Sequence, residues 1–128
     1  MKKLLLIVIA ACGLAACKKN EVSPAVNIIG KWELHERKGG FIMPPDSTYS
    51  AGNGNIYQFN SDGSYQQYAN GTLAVNGTYR LDKDTLYYNN NSYGDQALYS
   101  LITVSGNTLT FSPQTADMGT MIYNKLQN

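Results

Sequence analysis

The chain has 128 residues, with 10 Lys and Arg against 9 Asp and Glu, and its 14 or so aromatic side chains are mostly tyrosines: 10 Tyr beside 1 Trp and 3 Phe. A charge so close to balance, with no basic patch able to neutralise several phosphates at once, excludes nucleic acid as a partner. Both cysteines, Cys12 and Cys17, lie near the N-terminus, so the rest of the chain has neither a disulfide framework nor thiolates for a zinc site.

Lys2 and Lys3 form a short basic start, and the apolar run from Leu4 to Ala11 that follows is too short to span a bilayer. It leads into Leu14-Ala15-Ala16-Cys17, where two small residues let a peptidase approach the backbone beside a thiol. This pattern resembles the lipobox of bacterial lipoproteins. The resemblance implies that residues 1–16 are a cleaved signal peptide and that Cys17 takes a diacylglyceryl group and becomes the mature N-terminus. A second lipobox, Ile9-Ala10-Ala11-Cys12, would leave an apolar run of only about eight residues, which favours Cys17 as the lipidation site. Two or three acyl chains, at about 0.8 kcal/mol per buried methylene, would anchor the protein permanently. Residues 17–27 then read as a lipidated tether. The stretch from Lys18 to Asn27 has no apolar periodicity, contains Pro24 and reaches about 30 Å when extended.

Residues 28–128 are long enough for one domain that buries roughly 60–70% of its chain surface. No helical periodicity is sustained after Gly30. Alternating segments recur instead near Lys31–Arg37, Ile56–Phe59, Ser64–Tyr68, Thr78–Leu81, Thr85–Tyr88, Gln96–Val104, Thr108–Phe111 and Met121–Leu126. Eight strands can close without an exposed edge. Asn60-Ser61-Asp62-Gly63, Asp82-Lys83-Asp84 and Ser105-Gly106-Asn107 read as tight turns. The first (Lys38 to Asn55), fifth (Asn89 to Asp95) and seventh (Ser112 to Thr120) connections are longer and would share one end of an up-and-down barrel. The third, Ala69 to Gly77, reads either as another long connection or as a two-residue hairpin at Asn70-Gly71 with a bulge at Asn76-Gly77.

Gly30-Lys31-Trp32, at the start of the first strand and preceded by Val26, Ile28 and Ile29, resembles the Gly-X-Trp of the lipocalins. With the strand count and the lipobox, the chain is similar to the small lipocalin-like lipoproteins common in Bacteroidota, over roughly Ile28 to Leu126. The resemblance implies an all-β fold, an eight-stranded antiparallel up-and-down barrel, in which Gly30 and Trp32 close one end. Lipocalins place an Arg over this Trp after the last strand. Here no Arg follows Arg80, and Lys125 is the late cation.

Strand parity puts Trp32 and Leu34 inside and Lys31, Glu33, His35 and Arg37 outside. An outward His35 and the turn carboxylates Asp62, Asp82 and Asp84 lack the shelter and partners of a general base, so no enzymatic activity is expected. Asn60, Asp62, Asp82 and Asp84 belong to separate turns without a calcium-loop spacing, so neither a metal nor a cofactor is expected. The interior is expected to hold Tyr57, Phe59, Tyr65, Tyr79, Tyr88, Leu109, Phe111 and Tyr123. Gly39-Gly40-Phe41-Ile42-Met43-Pro44-Pro45 is apolar for a loop and is expected to pack down over the barrel mouth. The expected ligand contacts are Phe41, Met43, Tyr57, Phe59, Tyr65, Tyr79 and Phe111. The function that follows is a lipid-anchored, non-enzymatic binding protein of the bacterial envelope, with a small apolar or amphipathic ligand. The alternative is a module whose loops bind an envelope protein or glycan over a filled barrel. Lys18 is not the Asp that retains lipoproteins in the inner membrane in the best-known sorting rule, which points to the outer membrane.

Overall fold

The computed structural model describes residues 27–41, 45–90, 97–113 and 116–127. The export signal, Cys17 and the tether up to Val26 lie outside them. Among the described residues the fold is all-β, with β1 (Gly30–Lys38), β2 (Ser47–Thr48), β3 (Ile56–Phe59), β4 (Ser64–Ala69), β5 (Thr72–Asp82), β6 (Thr85–Asn90), β7 (Leu98–Ser105), β8 (Thr108–Pro113), a 3-10 turn (Ala116–Met118) and β9 (Thr120–Lys125). Each strand from β3 onward pairs antiparallel with the next, β3 also pairs with β1, and β9 returns to β1. The result is a closed eight-stranded barrel in which β2 is an extra strand on β1. Closure leaves no long free edge, which matters because no α-helix among the described residues covers the sheet.

Two local features differ from the expectation. β5 begins at Thr72, six residues before Thr78, because Asn70 and Gly71, with φ of 50° and 80°, form a two-residue hairpin with β4. The bulge in that ladder falls at Ala74, between the pairs Gln67–Val75 and Tyr68–Leu73, and not at Asn76-Gly77. The extra strand β2 arises because the returning part of the first long connection laces along β1. Tyr49 N–H donates to the His35 carbonyl, Asn53 Nδ2 to the Leu34 carbonyl, and Leu34 N–H to the Asn55 carbonyl, each at 2.8 Å. Glu33, expected in solvent, is buried beneath this segment, where its carboxylate accepts from Gly52 N at 2.8 Å and Gly54 N at 3.0 Å. Gly54 in turn holds the hairpin, with Gly71 N–H donating to its carbonyl at 2.9 Å.

The base of the barrel is filled. Trp32 is fully buried there with Ile28, Phe59, Leu86, Ile102 and Leu109. Its indole N–H donates to the Ile28 carbonyl at 2.7 Å, so the one polar atom of the ring is satisfied. Lys125, the register partner of Trp32 on β9, brings its Nζ to 5.2 Å from the ring centroid. The place expected for a late Arg is thus taken by a Lys. Gly30 permits this crossing. Its φ is 128°, and a Cβ there would lie 3.3 Å from the Lys125 Cε.

Trp32→Ala should destabilise the barrel by about 3–5 kcal/mol, from the lost burial and the residual cavity. Lys125→Ala should cost about 0.5–1 kcal/mol, and Lys125→Arg should restore it. Urea unfolding monitored by tyrosine fluorescence checks both.

Candidate functional site

Above the base, the interior is layered by aromatic rings. Tyr57 stacks on Phe111 at 5.3 Å between centroids and meets Tyr123 edge-on at 5.4 Å, and Phe59 meets Tyr79 edge-on at 5.1 Å. Such pairs contribute about 0.5–1.5 kcal/mol each beyond their buried area. Among Tyr57, Phe59, Tyr65, Leu86, Tyr88 and Phe111 the rings leave no room for even a water-sized molecule. This is the floor of the site.

Over that floor the barrel opens into a cup of about 390 Å³, at the end where the longer connections join the strands. Tyr57 and Phe111 reach from the floor into its wall, together with Leu34, Val75, Tyr88 and Tyr123. Ser100, Asn90 and Gln67 add polar groups higher up. The volume lies at the small end of the roughly 300–1,000 Å³ range of ligand pockets.

Arg37 also lines the cup, which corrects its expected outward placement. The cause is a β-bulge. Leu34 pairs with Tyr123 and Glu36 with Ile122, which leaves His35 as an extra residue on β1 and reverses the alternation beyond it. Arg37 then stands opposite Met121 and faces inward, while His35 stays exposed as expected. The sequence carries no local signal for this, because the bulge is defined against a strand some 85 residues away.

The other expected site residues separate by layer. Phe59 and Tyr65 are buried in the floor. Tyr79 is turned to the base, where its hydroxyl donates to the Asn60 carbonyl at 2.8 Å and braces the first tight turn. Phe41 does not pack down over the mouth; it is 94% exposed. Met43 lies outside the described residues. Among the described residues no group of three or more His, Cys, Asp or Glu could hold a metal ion.

Burial shifts the phenols. Tyr57 and Tyr123 are both pushed well above the usual tyrosine value, chiefly by desolvation; Arg37 partly opposes the shift at Tyr123. Tyr65 is raised by burial against a hydrogen bond with Asn90.

A closed antiparallel barrel, plugged at one end and hollow at the other, defines a class of β-proteins that can enclose one small ligand. The family model described as a lipocalin-like domain matches residues 28–111, more than half of the chain, and the chain belongs to that family. The match ends in β8, and the structure adds β9, which completes the barrel. Searches among curated proteins and among solved structures found no match.

Because Tyr57 and Tyr123 stay protonated in the folded state while unfolded tyrosines ionise near pH 10, the stability they confer is full below that pH. It should fall as pH rises above about 10, since ionisation then favours the unfolded chain. Unfolding midpoints measured between pH 8 and 11 check this, and Tyr123→Phe should flatten the decline.

Proposed function

We infer that this protein is a lipid-anchored, non-enzymatic binding protein of the bacterial envelope that holds a small apolar or amphipathic ligand in the cup. The observation that carries the reading is the hollow of about 390 Å³ above an aromatic floor in a lipocalin-like barrel. Eight strands whose side chains merely filled the interior would leave no such space. The described lining supplies one guanidinium and several phenols beside apolar side chains, a composition suited to holding an amphipathic molecule.

The lipobox resemblance at Leu14-Ala15-Ala16-Cys17 supports the anchor. Gly30 starts β1 at the plugged base, so a tether entering there would turn the cup away from the membrane. Lys18 after the lipidated Cys supports the outer membrane as its site. No cofactor is proposed.

A second reading rests on Phe41, whose near-complete exposure suits a loop contact with an envelope protein or glycan. Under it, Phe41→Ser would abolish crosslinking to envelope components and leave ligand binding unchanged.

The test uses the full lipoprotein in nanodiscs with phenylnaphthylamine, a neutral apolar fluorophore. The wild type should give a saturable signal that Val75→Phe, which fills the cup, removes without lowering the thermal midpoint. Native mass spectrometry of the protein from its own envelope should show a bound small molecule. Cys17→Ala should move the protein from the membrane to the soluble fraction.

A further inference from the structure

Arg37 is the charged residue in the described lining of the cup, and among the described residues no carboxylate pairs with it. Its Nε is buried without a hydrogen-bond partner. The ion pairs among the described residues are Lys38–Glu36 at 3.2 Å and Arg80–Asp82 at 3.9 Å, and neither includes it. Among the described residues its guanidinium also lies over no aromatic ring, unlike the guanidinium of Arg80 and the ammonium of Lys125.

The carboxylates nearest in sequence are committed elsewhere. Glu33 is held by the Gly52 and Gly54 amides, and Glu36 by Lys38. An arginine cannot shed its proton to escape burial, so its charge must be met by an anion or by water. Beside it stands a phenol with an equally poor partner. The Tyr123 hydroxyl donates to the Met121 sulfur at 3.6 Å, and Met121 is the register partner of Arg37. Thioether sulfur is a weak acceptor. Across the cup the Tyr88 hydroxyl and Ser100 Oγ meet at a long 3.4 Å. Beside Arg37 the cup therefore presents a phenol lacking a strong acceptor, and Leu34, Val75 and Phe111 supply apolar wall.

We propose that Arg37, with the Tyr123 hydroxyl, receives the acidic headgroup of the ligand, so that the cup selects a small amphipathic carboxylate over its neutral counterpart. The inference rests on the ligand-binding reading above. The carboxylate would accept from the guanidinium and the phenol in charge-assisted hydrogen bonds, and the apolar body would lie against Phe111 and Val75.

Displacement of phenylnaphthylamine from the full lipoprotein in nanodiscs tests it, with the Val75→Phe protein as background. The competitors are phenylbutyrate and its isosteric neutral amide, phenylbutyramide. In the wild type the acid should displace the fluorophore at a concentration at least about tenfold lower than the amide. Arg37→Gln should erase that preference while retaining fluorophore binding, and Arg37→Lys, which keeps the charge without the fork, should retain part of it. Equal displacement by acid and amide in the wild type overturns the proposal and leaves ligand binding standing, as does an Arg37→Gln effect of equal size on both competitors. Should Arg37→Gln fail to fold, the wild-type comparison and Arg37→Lys decide. If the wild type binds no fluorophore above background and neither competitor binds by calorimetry, the ligand-binding reading itself falls, and this inference with it.

Discussion

The pairing of β1 with β9 is the constraint on which the rest of the molecule depends. Without it the sheet would end in two long edges, and neither base nor cup would exist. The same ladder carries groups that distinguish the two ends. Trp32 and Lys125 face each other at the base, Leu34 and Tyr123 form the wall, and Arg37 and Met121 stand at the mouth. The bulge at His35 divides these roles. Below it, strict alternation turns an indole inward to exclude water; beyond it, the shifted alternation turns a guanidinium inward to the open cup.

A barrel of this size can be filled by its own side chains, and the aromatic rings do fill its lower part. The rings of Tyr57, Phe59, Tyr65 and Phe111 are wide enough to meet across the lower barrel. Higher up, the lining includes Val75, Ser100 and Ala69, whose side chains are too short to do so. The segments outside the barrel are fixed to it by hydrogen bonds. The buried Glu33 carboxylate fixes the returning first connection against β1, and that connection fixes the Asn70-Gly71 hairpin through Gly54. A carboxylate satisfied by two amides is a strong brace, whereas the same group left unpaired would be a large penalty.

Local patterning was sufficient for much of this. Alternation and turn chemistry located the eight barrel strands, and Gly30-Lys31-Trp32 marked the closed end, because both signals act within a few residues. What sequence parity could not show were the features set by pairing partners far along the chain. The inward Arg37 follows from a register shift against β9, the buried Glu33 from a loop folded back over β1, and the early start of β5 from a choice between two turn readings that only the β4 ladder decides. The candidate site divided in the same way. All of Tyr57, Phe59, Tyr65, Tyr79 and Phe111 had the correct face, but face alone does not give height along the axis, and height separates wall from floor and base.

The division of the barrel into a dry base and a hollow top also explains how so small a domain can hold an unmatched cation. A chain of roughly 100 residues has little stability to spare, of the order of 0.05–0.15 kcal/mol per residue. An Arg placed among Trp32, Leu109 and Ile102 would lose its hydration and gain no partner, at a cost comparable to the whole of that margin. At the mouth the penalty is smaller, because the guanidinium there is only partly withdrawn from solvent and Nε alone is buried without a partner. The packed base can carry that residual cost, since its rings and aliphatic side chains are satisfied without any contribution from the cup. The packed base and the hollow top are thus separated along one axis, and the ladder that joins β1 to β9 connects them.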